Sequence, residues 1–461
     1  MNIEEIVSMQ KVFFEQNGNQ TYPFRVAQLS KLYTAILKFE ESLYEAFEKD
    51  LKKSKLEVYE TEIGFVLNSI RETKKNLRRW MKPKKTKNPF FLFGSKSYVM
   101  SEPYGVMSII GPFNYPFQLT IEPLVGAIAA GNTAIIKPSE LTPNVSRVIK
   151  NMIEDAFEGN YVKVVEGSID ETTTLLAQPV DYIFFTGSPR VGKIVMEAAA
   201  ENLTPLTLEL GGKSPAIVTE NANLKDAVSQ IVWGKFLNTG QTCVAPDYVM
   251  IDAKIKNEFI TLLKEQVNIF YGEHPEKNPD YGRMATVKHA ERMKLLIEKT
   301  DGDIVYGGIV DEKLRYVAPT IIDNVSWQDP LMQDEIFGPL LPVLTYNSKN
   351  FEEEIVSAIN KREKPLALYL FTNNLEIKNK ILKKVYFGGG VVNGTLVHLS
   401  NTNLPFGGVG QSGLGHYHGK NSFTEFTHQK SIVEKNKLVK LNILYPPYNK
   451  NKMNLIKKIM R

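Results

Sequence analysis

The chain has 461 residues, 43% of them hydrophobic and 23% charged, with a formal net charge of +5 and a single cysteine. That length is too great for one compact core and predicts two or three domains of ordinary globular composition. One cysteine excludes an internal disulfide and a cysteine-based zinc site, and it points to a reducing compartment. The positive charge is local, because the stretch from Lys435 to Arg461 carries eight basic residues and no acidic one.

The chain opens MNIEEIVSMQKVFFEQ, with Glu4 and Glu5 where a signal peptide carries lysines, and no apolar run is long enough to span a bilayer. A cytoplasmic protein is expected. Helical spacing of Val26, Leu29, Leu32, Tyr33, Ile36, Leu43 and Phe47 predicts helices over the first eighty residues. The basic cluster KKNLRRWMKPKKTK, residues 74–87, ends one helix and lacks the interleaved aromatics of a nucleic-acid module. A strand is predicted within 96–100, followed by an alternation: strand 105–110, helix 117–130, strand 133–137, helix 144–157, then YVKVVEG, YIFFTG, a helix over 191–200 and LTLEL. Strands separated by helices of this length imply right-handed crossovers and a doubly wound parallel sheet. A second alternation runs from about 216 to 392, and the glycine-rich segment after Gly394 lacks periodicity until SFTEFTH and KSIVEK.

Five stretches carry candidate chemistry. In FTGSPRVG a strand runs into a helix whose N-terminus suits a phosphate, although the Gly187 to Gly192 spacing departs from the GxGxxG fingerprint. Asn114 in IIGPFNYPF and Lys137 with Glu140 in IIKPSE follow strand ends, where ligands sit in open α/β sheets. In LTLELGGKSP, Glu209 shares a strand face with Thr207 ahead of a Gly-Gly pair, so it is either a buried carboxylate or a solvent-facing strand residue. Cys243 lies in FLNTGQTCVAPD, outside any apolar stripe, between a helix over 223–237 and a strand over 248–252. By itself this favours an ordinary loop cysteine slightly over a nucleophile. No metal-ligand spacing such as HExxH is present, and no metal is expected.

Taken together and in order, PFNYP, IIKPSE, FTGSPRVG, LELGGKSP, NTGQTCVAP, EIFGP and LPFGGVGQSGLG resemble the aldehyde dehydrogenase superfamily over nearly the whole chain. YHGKNSFTEFTH and YPPY resemble its class 3 branch. The resemblance implies an α/β fold with a Rossmann-type NAD(P)-binding domain (1–82 and 104–208), a catalytic domain (209–394), and an oligomerisation element with C-terminal tail (83–103 and 395–461). It implies NAD(P)-dependent oxidation of medium- or long-chain aliphatic or aromatic aldehydes to acids, with Cys243 as nucleophile, Asn114 as oxyanion donor and Glu209 as general base. Lys137 and Glu140 would hold the adenine ribose, Gly187, Ser188 and Gly192 the pyrophosphate turn, Glu335 the nicotinamide ribose, and Phe337 would flank the nicotinamide. NAD is the expected cofactor, with NADP left open, and the partners implied are an aldehyde and a second copy of the chain, without nucleic acid. The end NKNKMNLIKKIMR is basic and at most amphipathic, so stable membrane insertion is not expected.

Rival readings are a coenzyme A-acylating dehydrogenase, a cysteine hydrolase and a binding protein that keeps the fold without the chemistry. The first generally lacks a carboxylate at the Glu209 position. The second leaves Asn114, Glu209 and the glycine turns without a role.

Overall fold

A computed structural model describes residues 2–16, 21–436 and 444–460. Lys437, Lys440 and Arg461 of the basic tail lie outside the described residues. Two large sheets, one of three strands and a two-stranded pair, Val310–Asp311 with Tyr316–Val317, organise them. The first has six strands in the spatial order Gly413–Leu414, Leu206–Glu209, Tyr182–Thr186, Val106–Ile110, Thr133–Lys137 and Val162–Val164. All neighbours are parallel except the Gly413–Leu414 edge. Its central strands are buried along their full length, as parallel strands covered on both faces must be, which explains their continuous apolar sequences.

The second sheet runs Asp303–Tyr306, Thr320–Asp323, Leu340–Tyr346, Tyr248–Asp252, Pro215–Val218, Ala367–Phe371, Gly389–Val392. Only its first pair is antiparallel. A small antiparallel sheet joins Lys84–Thr86, Lys96–Pro103 and Thr427–Glu434. The helices expected from spacing form with ends set by local chemistry. Asn2 and Glu5 make a capping box for Ile3–Glu15, Ser188 caps Pro189–Glu201, and Asn223 caps Leu224–Phe236. Gln118–Ala130 is buried on every side and stops at Gly131, whose φ of 94° suits a residue without Cβ.

The segment from 395 onward differs in part from its expected place in an oligomerisation element. Gly413 and Leu414 pair with Glu209 and Leu208, closing the edge of the first sheet. The helix Lys420–Glu425 packs on Gln118–Ala130, close enough that a Cβ on Gly126 would stand 2.7 Å from Ser422 and from Phe426. Glycines without periodicity hid this docking, because the pairing uses only two residues and the contact depends on an absent side chain.

The topology brings the candidate residues together. Parallel strands end on one edge, so Lys137, Thr186 and Glu209 finish three neighbouring strands, and Asn114 follows the fourth. Only residues 210–214 separate the last of these from Pro215, where the second sheet begins. Pro215 pairs with Tyr248, the first residue after the Cys243 loop, so the carboxyl edge of one sheet meets the amino edge of the other.

Candidate active site

Cys243 is partly exposed, but the residues that lead to it are buried and tightly tied. The helix Leu224–Phe236 breaks into a turn in which Asn238, Thr239 and Gly240 are all left-handed, with φ of 52°, 56° and 72°. A Cβ on Gly240 would run into the Gly338 carbonyl, so glycine is required there. Gln241 donates its amide to the carbonyls of Asn238 and Arg283, both at 3.1 Å, and accepts from the Ala285 N–H at 2.9 Å. This polar loop is thus part of the interior, with the Gln241 side chain fully engaged there and the Thr239 hydroxyl buried without a partner.

Asn114 is buried beside it and donates Nδ2 to the Gln241 carbonyl at 2.9 Å. Asn238 donates its own amide to the carbonyls of Asn114, at 2.8 Å, and Gln241, at 3.2 Å. One N–H of the Asn114 amide is therefore spent on orientation, which leaves the amide one further donor. Although Cys243 keeps some exposure, desolvation of its sulfur pushes the thiol well above its usual range, and Glu335 and Glu209 push it further, against the pull of the backbone N–H groups of Cys243 and Val244.

Glu209 is 3% exposed, which decides between the two sequence readings in favour of a buried carboxylate. Neither of its carboxylate oxygens has a hydrogen-bond partner. Desolvation, with Glu425 adding to it, raises its carboxyl well above the ordinary value. A buried carboxyl left without partners is costly and calls for a functional account. Together the thiol, the amide and the carboxyl can add a nucleophile to a carbonyl, hold the resulting oxyanion and take a proton from water.

The cofactor candidates occupy the neighbouring strand ends. The Lys137 ammonium is buried, donating to the Pro138 carbonyl at 3.0 Å and lying 3.2 Å from the exposed Glu140 carboxylate. Gly187 lacks the Cβ that would stand 2.5 Å from the Phe185 ring, and Ser188 caps the helix that follows. The Thr186 hydroxyl next to them is buried with no partner. Gly192 acts differently: its N–H is used by the Ser188 carbonyl at 2.9 Å, and a Cβ there would stand 2.7 Å from Leu210. What the structure gives Gly192 is close packing of helix on connector, with no free donor for a phosphate.

Glu335 accepts a hydrogen bond from the Gly212 N–H, while burial and Asp247 raise its carboxyl to about 8. A Cβ on Gly211 would collide with that carboxylate. Phe337, at φ 50°, stands edge-on to Phe113 with ring centroids 5.7 Å apart. The turn is held by Arg292, which donates to the carbonyls of Glu335 and Ile336. Lys213 supports it from the other side, paired with Asp247 and donating to the carbonyls of Leu331, at 2.7 Å, and Asp334, at 2.9 Å. Sequence reasoning passed over Asn238, Gln241, Lys213, Asp247 and Arg292. The first four lie inside the quoted motifs and were open to discovery; nothing local marks Arg292.

The family model described as the aldehyde dehydrogenase family matches residues 1–432. The chain belongs to the aldehyde dehydrogenase family. It is an NAD(P)-dependent aldehyde dehydrogenase that oxidises aldehydes to carboxylic acids. It is 51% identical over 455 residues to the 4,4'-diaponeurosporen-aldehyde dehydrogenase of Staphylococcus aureus, covering 99% of this chain and 98% of that protein. It is 42% identical to the dimeric NADP-preferring aldehyde dehydrogenase of Rattus norvegicus, with 95% of each covered. A solved substrate-bound state of Staphylococcus aureus AldH matches with a TM-score of 0.97 at 50% identity over 100% of both chains. An NAD+ complex of the Bacillus cereus aldehyde dehydrogenase matches at 0.85 and 27%, covering 94% of this chain and 89% of that one. In this aldehyde dehydrogenase the partnerless Thr186 hydroxyl, and the space kept by Gly187 beside Phe185 and by Gly211 beside the Glu335 carboxylate, are compatible with a dinucleotide.

Proposed function

We propose that Cys243, Asn114 and Glu209 carry the oxidation in these roles. The observation that bears the most weight is Glu209, buried and partnerless and electrostatically coupled to the Cys243 thiol. The Cys243 sulfur, on losing its proton, adds to the aldehyde carbon. The carbonyl oxygen takes up the electron pair and is held by the second N–H of Asn114 and the backbone N–H of Cys243. Bound NAD(P) supplies the acceptor for the hydride. Glu209 then draws a proton from the water that attacks the thioester on Cys243, releasing the acid and the thiolate. A coenzyme A-acylating enzyme would have no use for that carboxylate.

Lys137, Glu140, Gly187, Ser188, Glu335 and Phe337 are proposed to hold the cofactor, with Gly192 contributing through packing. The Lys137 to Glu140 contact offsets the charge that would repel a 2′-phosphate, which supports use of both NAD and NADP. The proposed units are a cofactor domain (1–82 and 104–208), a catalytic domain (209–394) and an oligomerisation element with tail (83–103 and 395–461). Of the last, 413–426 serves the first sheet as well. A homodimer is proposed, supported by the exposed Phe90, Phe91 and Phe93 on the small sheet's connection and by the dimeric rat relative. Among the described residues no helix is long and apolar enough to cross a membrane. A cytoplasmic setting is proposed from the lone free thiol.

The substrates proposed are medium- or long-chain aliphatic and aromatic aldehydes, and the aldehyde named for the Staphylococcus relative belongs in the test panel. The test is nicotinamide absorbance with NAD and NADP over that panel, for the intact protein, Cys243→Ala and Asn114→Ala. Full loss in Cys243→Ala and a drop of ~100-fold in Asn114→Ala are expected. Unchanged turnover in either variant removes that residue from its role.

A further inference from the structure

Three charged side chains outside the proposed catalytic set are almost wholly buried: Lys53, Glu57 and Glu62, at 2%, 8% and 0% exposure. The helix that carries the two glutamates contains a π turn over Tyr59–Ile63, in which the Gly64 N–H bonds to the Tyr59 carbonyl. A π turn adds one residue to the turn, so residues five apart lie where residues four apart would lie in an α-helix. Glu57 and Glu62 consequently share a face, and Lys53 reaches both, with Nζ 3.1 Å from Glu62 and 3.9 Å from Glu57.

Each carboxylate holds one half of the reaction site. Glu57 Oε1 accepts the Asn238 N–H at 3.0 Å, at the first of the three left-handed residues before Cys243. Glu62 Oε2 accepts the N–H groups of Phe117, at 3.2 Å, and Gln118, at 2.8 Å. These donors open the helix that follows Asn114, a helix whose own N-cap supplies no side-chain acceptor. Lys53 joins the halves again: its ammonium lies 4.1 Å from the centre of the Tyr115 ring, and the Tyr115 hydroxyl lies 2.7 Å from the Thr242 hydroxyl. Buried ion clusters seldom add stability over well-packed apolar residues, whereas they do impose a unique geometry in some proteins. A run of left-handed, non-glycine backbone also needs neighbours that hold it in place.

We propose that Lys53, Glu57 and Glu62 are positioning residues of the reaction: they set the Asn114 segment and the Asn238–Cys243 turn against each other, so that the oxyanion donors face the nucleophile. This rests on the roles proposed for Asn114 and Cys243. The test reads the rate of the first NAD(P)H burst in a cycle of Glu57→Ala and Asn114→Ala, with Glu57→Gln as the variant that keeps an acceptor for the Asn238 N–H. Glu57→Ala should slow the burst tenfold or more and leave the KM for NAD(P) unchanged, and Glu57→Gln should return it to within about threefold of the parent. With Asn114 already replaced, Glu57→Ala should cost less than threefold, because its effect passes through that amide. Equal penalties in both backgrounds, or a glutamine no better than alanine, would overturn the proposal. An Asn114→Ala burst as fast as the parent's would instead refute the role of Asn114. If Glu57→Ala does not fold by circular dichroism, Glu57→Gln and Glu57→Asp in the same cycle decide, the shorter carboxylate being expected to slow the burst more.

Discussion

Replacing Glu209 by glutamine separates the two halves of the reaction. The substitution keeps shape and volume, and the burial that raises the carboxyl favours its neutral form, which glutamine resembles. Folding should therefore change little, with a melting temperature close to the parent's. What is lost is the proton acceptor for the hydrolytic water. General bases contribute typically 10²- to 10⁴-fold, or about 2.7–5.5 kcal/mol of barrier, and both oxygens here are uncommitted to any other partner. Stopped-flow absorbance should show a burst of one NAD(P)H per Cys243 at nearly the parent's rate, then a steady state slower by ~10²-fold or more. Because the carboxyl ionises above its ordinary range, the parent's steady-state rate should keep rising with pH beyond the point where an ordinary glutamate would have levelled off. A Glu209→Gln enzyme that loses its burst along with its turnover, or one that keeps full turnover, would refute the assignment of Glu209 to hydrolysis.

Other substitutions follow from particular contacts. Gly211→Ala drives a methyl group into the Glu335 carboxylate and should raise the KM for NAD(P) severalfold, measured by initial rates, with little change in the melting temperature. Glu122, 1% exposed with one oxygen bonded to the Ser69 hydroxyl at 2.7 Å, has its carboxyl raised by burial from 4.5 to about 8. The folded chain keeps a proton there that the unfolded chain releases, so stability from this group is present below pH 4.5 and falls by about 1.4 kcal/mol per pH unit up to 8. Glu122→Gln should flatten that slope in denaturant titrations, and parallel curves for the two proteins would contradict it. Gly126→Val places two methyl groups against Ser422 and Phe426 and should cost about 1–3 kcal/mol of stability by denaturant titration.

Much of the site was legible because strand ends in parallel sheets are predictable from the alternation alone. Thr133–Lys137 and Tyr248–Asp252 form with the boundaries read from their apolar runs, which fixes where Lys137 stands and where the cysteine loop must end. Burial of Glu209 was open in the sequence, since alternation says which face a residue shares and leaves open what covers that face. Glu425, 3.3 Å from the Thr207 hydroxyl on that face, comes from the segment that the two-residue strand Gly413–Leu414 brings back to the sheet, and no local pattern announces so short a strand. Arg292 and the Lys53 cluster escaped for a related reason. Their partners are backbone atoms or side chains on other elements, and the π turn that aligns Glu57 with Glu62 leaves no signature in hydrophobic spacing.

The edge strand Gly413–Leu414 also has a consequence for the order in which the chain can assemble. The strand bearing Glu209 emerges with one side unpaired, and its partner is made ~200 residues later, after the entire second sheet. Until then an open strand edge is available to other chains. Distant pairings of this kind also form slowly, because the loop they close must be ordered first. A product truncated before Gly413 would hold every proposed catalytic side chain and still present the Leu206–Glu209 edge to its neighbours, making aggregation during synthesis, more than loss of chemistry, the penalty for losing this end of the protein.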